Sequence, residues 1–260
     1  MQNPNPSARW IFIRGLVRES KHWEEFPNRF AETIPNNGIF LADLPGNGRH
    51  WQMKSPTDMT AMMDFVRRDT LDANKQAQGP CYLFAISLGA MVALEWLNHY
   101  PSDITGAVLV NTSLRGLNPI HQRLCWRRWP SLLSIARQKD VRLREQAILA
   151  LTSRHSVDNS RVESRVNAFR QHPISRMNLI RQLWAAAKYK PPLDTPKTPL
   201  LMLNSLGDRL VDPACSQTIA EHWGLALSTH PWGGHDLPLD DPDWIIAEVL
   251  QWLTNQNSGV

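Results

Sequence analysis

Short runs of consecutive apolar residues recur along the chain, each bounded by turn-forming residues. Residues 10–13 (Trp-Ile-Phe-Ile), 38–42 (Gly-Ile-Phe-Leu-Ala) and 106–110 (Gly-Ala-Val-Leu-Val) are such runs, as are 199–203 and 225–228. Their length and lack of alternation predict strands buried on both faces. Another run, Cys81-Tyr82-Leu83-Phe84-Ala85-Ile86, predicts a strand leading directly into Ser87. Between the runs the spacing changes to that of helices. Residues 22–33 predict a helix ending near Pro35. Residues 58–74 predict another, with Met59, Met62, Met63, Val66 and Leu71 on its apolar face. Residues 91–97 and about 242–253 predict two more. Apolar strands separated by helices imply an α/β protein with a mainly parallel sheet covered on both faces. No internal repeat and no low-complexity tract interrupts the pattern.

Residues 115–190 break the alternation. They contain no convincing strand, and helical spacing appears at 123–137, 142–152, 161–170 and 177–188. The segment is also strongly basic. Its thirteen Arg and three Lys face only four acids, a net charge of +12 in a chain of +4, so the remainder carries −8. Two readings follow. The segment is a solvated amphipathic helical insertion, or its charge docks an acidic partner or an anionic substrate. The expected organisation is a core of residues 1–114 and 191–260 with a helical insertion of residues 115–190.

At 260 residues, with 42% hydrophobic and 20% charged positions, the chain can bury a sizeable core. No apolar run is long enough to span a bilayer. Met1–Ser7 carries neither the charged nor the apolar region of a secretory leader, so a cytoplasmic location is expected. Cys81, Cys125 and Cys215 are odd in number and far apart, which gives neither a disulfide framework nor a metal-ligand spacing. No nucleic-acid partner is expected. Eleven Trp against three Tyr is unusual, and Trp suits both cores and acyl or aromatic pockets.

The chemistry concentrates at strand ends. Ala85-Ile86-Ser87-Leu88-Gly89 fits the nucleophile-elbow pattern G-x-S-x-G, with Ala85 in place of the leading glycine. In such a turn the side chains at −2 and +2 are forced together, so only small residues fit, and the N–H after the serine lies at a helix N-terminus. A serine nucleophile needs a base, and the base needs an orienting acid. Asp208 follows the predicted strand at 199–203 and Gly207. His235 follows the strand at 225–228 in the loop Gly233-Gly234-His235. The chain order is then serine, acid, histidine, all at strand C-terminal ends, where open parallel sheets bind ligands. Asp212 competes with Asp208, but it precedes Pro213 and reads as the cap of a following helix.

These segments resemble the α/β-hydrolase superfamily, in the small lidded branch that includes carboxylesterases and methyl-ester esterases. The resemblance is carried by Asp43-Leu44-Pro45-Gly46-Asn47-Gly48, by Ala85-Ile86-Ser87-Leu88-Gly89, by Gly207-Asp208-Arg209-Leu210-Val211 and by Gly233-Gly234-His235. It covers nearly the whole chain and is thin across 115–190. It implies an α/β-hydrolase fold, Ser87 as nucleophile, His235 as base, Asp208 as acid, and residues 115–190 as a helical cap. It also implies oxyanion donors at the N–H groups of Leu16 and Leu88. One departure stands out: the family's His-Gly after the first strand is Arg14-Gly15 here, so Arg14 either braces the loop through an acid or faces the substrate. Trp126, Trp129 and Trp184 are the candidate pocket-lining residues of the cap.

The implied activity is hydrolysis of a carboxylic ester through an acyl-enzyme, with no metal or organic cofactor. A serine at the elbow argues against relatives that use an aspartate nucleophile. A carboxylate-binding lyase of the same superfamily, of the menaquinone-pathway type, is the alternative, and a non-catalytic ligand-binding relative is a third. The family's precedent of a methyl-ester esterase acting on an acyl-carrier protein makes such an acidic carrier a candidate partner for the basic cap.

Overall fold

The computed structural model describes residues 8–34, 38–73, 79–155 and 157–257. The leader reading of Met1–Ser7, the stop at Pro35 and the helix end at Asn74 lie outside these residues. Six strands, β1 (Arg9–Ile13), β2 (Gly38–Ala42), β3 (Cys81–Ile86), β4 (Gly106–Val110), β5 (Leu200–Ser205) and β6 (Leu227–His230), form one sheet in the order β2-β1-β3-β4-β5-β6. Every pairing is parallel. All strand C-termini therefore share one edge of the sheet.

Side chains alternate across a strand, so the central strands feed two cores. Trp10, Phe12, Phe84, Val108 and Val110 point to one face, where α1 (Phe26–Thr33) and the C-terminal helix cover them. Ile11, Ile13, Leu83, Ala85 and Leu109 point to the other, against α2 (Met59–Ala73) and α3 (Leu88–His99). The first core is aromatic: Phe12 packs at 5.0–5.6 Å between ring centroids against Trp23, Phe26, Phe30 and Phe84. Removing a side chain such as Phe12 from it costs about 3–5 kcal/mol.

The remaining helices are α4 (Ile120–Arg123), α5 (Trp129–Arg137), α6 (Val141–Thr152), α7 (Asn159–Gln171), α8 (Arg176–Lys188), α9 (Ala214–Trp223), α10 (Leu237–Asp240) and α11 (Pro242–Asn257). The five helices α4–α8 fall between β4 and β5, and none of the described residues among 115–190 is in a strand. No helix is long and apolar enough, among the described residues, to cross a membrane.

Two expected helices are each divided. Residues 22–33 form a 3-10 turn, Ser20–Trp23, then α1. Residues 123–137 form a 3-10 turn, Trp126–Arg128, then α5. Proline is the cause in both. Pro27 and Pro130 lack an N–H and clash with the preceding turn, so each is tolerated only in the first turn of a new helix. Periodicity carries through such a break; the hydrogen-bond ladder does not.

Candidate active site

At the end of β3 the chain reverses sharply. Ser87 has φ 58° and ψ −119°, a conformation rarely adopted by a residue with a side chain, and α3 starts at the next residue. Such strain costs about 1–3 kcal/mol and persists only where the surroundings over-determine it. Here they do. Ser87 N–H donates to Val110 O at 2.9 Å, and Thr112 Oγ1 donates to Ser87 O at 3.1 Å. The neighbours must be small. A Cβ on Gly89 would lie 2.3 Å from Ile13 O, and one on Gly15 would lie 3.1 Å from Ser87 Cβ. Ala85 is fully buried in register with Ile13. The loop after β1 thus crosses directly over Ser87. Leu88 is the first helical residue of α3, where its N–H has no intrahelical acceptor.

Asp208 and His235 meet at this sheet edge. His235 Nδ1 lies 2.7 Å from Asp208 Oδ2, and both side chains are at least nine-tenths buried. Asp208 is acceptor-only, so Nδ1 carries the proton and Nε2 is left as the basic nitrogen. The other oxygen of Asp208 accepts the N–H groups of Leu210 and Val211 at 2.7 and 3.0 Å, which fixes the carboxylate plane. Asp212 is occupied elsewhere: its Oδ1 accepts Ala214 N–H at the start of α9.

Two residues without a sequence signal tie these loops together. Asn111, at φ 48° just past β4, donates to Gly234 O and His235 O at 3.2 and 3.0 Å and accepts Ser205 N–H at 3.0 Å. Ser205 Oγ donates to Gly234 O at 2.6 Å. Gly207 sits against the histidine loop so tightly that a Cβ there would be 2.1 Å from Trp232 O.

Of the two expectations for Arg14, a brace through an acid or a face toward the substrate, its contacts fit the brace. It is buried, and its two terminal nitrogens each donate to Asp236 at 2.8 Å, with the guanidinium 4.7 Å from the Trp23 ring. Arg165, from α7, reaches the same carboxylate at 3.4 Å and Glu24 at 3.1 Å. Burial pushes the Asp236 pKa up, but Arg14 and Arg165 outweigh it and hold the carboxyl well below the usual carboxylate range. Arg14 standing where the resembled family has histidine was the one available hint of an acid in this place. Nothing in the sequence identified that acid as the residue after His235.

Leu16 is half-buried and packs on the core beside α3. Its neighbour Val17, at φ 49°, donates its N–H to Gln182 Oε1 at 3.0 Å. Trp126, Trp129 and Trp184 lie exposed on the insertion, at 56%, 44% and 58%. A minority of the insertion's cations meet acids or carbonyls, and one of its acids is itself taken by a core arginine. Arg161 and Arg165 pair with Glu24, Arg18 of the core pairs with Glu145, Arg142 pairs with Glu163, and Arg123 donates to Ala186 O at 2.6 Å.

A family model described as serine aminopeptidase, S33, matches residues 4–242. A Caulobacter protein assigned as the carbamate hydrolase RutD is 30% identical over 106 residues, which is 39% of this chain and 39% of that protein. Among solved structures, a hydrolase from Pseudomonas aeruginosa superposes with a TM-score of 0.74 at 17% identity, covering 97% of this chain and 92% of the other. A thermophilic esterase from Thermogutta terrifontis superposes with a TM-score of 0.68 at 16% identity, covering 96% and 91%.

Proposed function

We propose that this chain, which belongs to the serine aminopeptidase S33 family of α/β-hydrolases, cleaves carboxylic esters with Ser87 as nucleophile, His235 as base and Asp208 as orienting acid. The observation that carries the reading is the 2.7 Å pairing of His235 Nδ1 with Asp208 on the sheet edge that also bears the strained Ser87 turn. In the reaction, Ser87 Oγ bonds to the ester carbonyl carbon while its proton passes to His235 Nε2. The carbonyl oxygen becomes an oxyanion and takes the N–H groups of Leu16 and Leu88, each donor supplying roughly 3 kcal/mol of transition-state stabilisation. Collapse expels the alcohol oxygen, which takes the proton from His235. Water, deprotonated by His235, then attacks the acyl-serine; the acid leaves and Ser87 regains its proton.

The lyase alternative needs arginines free to hold a substrate carboxylate. Arg14 and Arg165, the two arginines that reach the residue after His235, hold Asp236 and are not free for this role. The insertion is read as a cap over the site, with residues 1–114 and 191–260 as the catalytic core. A partner extends this reading. Arg127 is exposed, and no acid occurs between residues 104 and 139, which supports an acidic acyl-carrier protein presenting the ester.

The test is labelling with a fluorophosphonate probe beside a p-nitrophenyl ester series of graded chain length, an aminoacyl anilide and a carbamate. Labelling at Ser87, lost in Ser87→Ala, and fastest turnover on an ester are expected. Wild-type protein that resists the probe removes the serine mechanism. Faster turnover of the anilide or the carbamate moves the substrate class away from esters.

A further inference from the structure

The loop Arg14-Gly15-Leu16-Val17 is gripped from both ends by side chains of the helical insertion. At one end Arg14 donates both terminal nitrogens to Asp236, and Arg165 of α7 closes on the same carboxylate. At the other end Gln182 of α8, fully buried, accepts Val17 N–H through Oε1 at 3.0 Å. The Gln182 amide nitrogen is fixed in turn, donating to Asn47 Oδ1 at 2.8 Å and Ser55 Oγ at 3.1 Å. Asn178, one turn earlier on α8, accepts Ser55 N–H at 3.0 Å and donates to Met53 O at 2.9 Å. Ser55 Oγ itself donates to Pro45 O at 2.7 Å, so the amide of Gln182 rests on a network with no slack. Three positive-φ residues, Val17, Gly46 and Gly48, sit in the segments this network holds. A loop carrying a left-handed valine does not keep that shape by intrinsic preference.

We propose that the insertion braces the oxyanion loop: Gln182 from one side, and Arg165 through Asp236 from the other, are positioning residues that hold Leu16 N–H over Ser87. The inference rests on the reading of Ser87 as nucleophile and Leu16 as an oxyanion donor. It gives the insertion a role beyond covering the site. When α7 and α8 are seated the donor is aimed; when they shift, the donor goes with them. A donor displaced by a fraction of an ångström to 1 Å costs on the order of 10–100-fold in rate. The loss falls on the transition state, because the oxyanion exists only there, and leaves ground-state binding unchanged.

The experiment compares Gln182→Leu, Gln182→Glu, Arg165→Met and Arg165→Lys with the wild type on p-nitrophenyl acetate, a substrate too small to depend on the cap for binding. Affinity for a trifluoromethyl ketone, which forms a tetrahedral oxyanion on the serine, is measured beside affinity for acetate. Hydrogen exchange of the peptide spanning residues 14–18 is followed in parallel. In Gln182→Leu, kcat and trifluoromethyl ketone affinity should fall together by roughly 10–100-fold, with KM and acetate affinity unchanged and faster exchange in the loop. Gln182→Glu keeps the oxygen that accepts Val17 N–H and should recover part of the loss. Arg165→Met should repeat the pattern more weakly, and Arg165→Lys should moderate it. Folded Gln182→Leu and Arg165→Met with wild-type kcat and ketone affinity would overturn the proposal, whatever their thermal stability. If Gln182→Leu does not fold, the Arg165 pair decides by the same readouts. Failure of the serine reading is recognised separately, because wild-type protein would then resist fluorophosphonate. Loop exchange that is unchanged in the variants would reject the brace even in that case.

Discussion

Helices α3 and α8 are of similar length and both border the candidate site, yet they are turned opposite ways. In α3 every residue from Leu88 to Leu97 is buried, nearly all of them apolar. In α8 the buried stripe is Asn178, Gln182 and Ala185, while Met177, Ile180 and Trp184 are more than half exposed. The physical reason is what each helix covers. α3 lies on a sheet face whose backbone is fully paired, so only apolar side chains gain by facing it. α8 lies on the loops at residues 17 and 43–55, whose free N–H and C=O groups need partners once water is excluded. Asn178 and Gln182 supply them. The elbow is thus held by close apolar packing and the two bonds to the Ser87 backbone, and the loop over it chiefly by side-chain hydrogen bonds.

The largest test of this contrast is chemical. Ser87→Ala should leave the packed elbow folded and lower kcat by roughly 10^4–10^6-fold, read by steady-state turnover with circular dichroism as the fold control. Comparable turnover would show that the strained turn serves packing alone. Next in size is stability. Leu94→Ala in α3 should cost about 2–5 kcal/mol in denaturant unfolding, whereas Ile180→Ala on the outer face of α8 should stay within about 0.5 kcal/mol. Equal costs would mean that the outer face of α8 is covered in solution.

A smaller effect comes with acid. His22 is buried, and its Nδ1 accepts Glu19 N–H at 3.0 Å. Burial, with Arg18, Arg165 and Arg14 nearby, lowers its pKa well below 6.5. The unfolded chain therefore binds a proton below pH 6.5 that the folded chain refuses, and stability drops as the pH is lowered below that value, by up to about 1.4 kcal/mol per unit. Asp236, whose folded pKa is depressed below 3.8, adds stability that is present above that value and lost as pH falls below it. Urea unfolding between pH 7 and 5 should show the His22 slope, and His22→Asn should flatten it. A flat profile in the wild type would contradict the buried neutral imidazole.

The smallest effect concerns the basic face near α5, in which no residue is buried. Arg127→Ala with Arg128→Ala should change kcat/KM for p-nitrophenyl acetate less than about twofold, within the range of surface substitutions. With an ester carried on an acyl-carrier protein, the same pair should lose most of its salt-sensitive rate, since exposed charges are screened beyond about 10 Å at 0.1 M. Salt-independent rates for the carried ester would remove that partner.

Much of this arrangement is legible without coordinates. The four inner strands are mainly apolar runs because a sheet covered on both faces gives little place to a polar side chain, whereas the edge strand β6, Leu-Ser-Thr-His, starts two residues after the start of the apolar run expected at 225–228. Their ends are marked by Gly, Pro and Asp, so the shared edge carrying Ser87, Asp208 and His235 follows from order alone. Small residues at 85 and 89 mark the elbow within one stretch of chain, although the contacts that demand glycine at 89 and at 15 run between the elbow and the loop after β1. The partners of the loops are another matter. Arg14 finds Asp236 across 222 residues and Val17 finds Gln182 across 165. A polar residue on a helix gives no sign of facing inward unless its partner is known, so the buried stripe of Asn178 and Gln182 on α8 has no signal in the sequence. Local patterning determined the sheet, the elbow and the order of chemical groups. The tertiary structure alone decided which face of each insertion helix turns inward, because that choice depends on unsatisfied backbone groups contributed by distant segments.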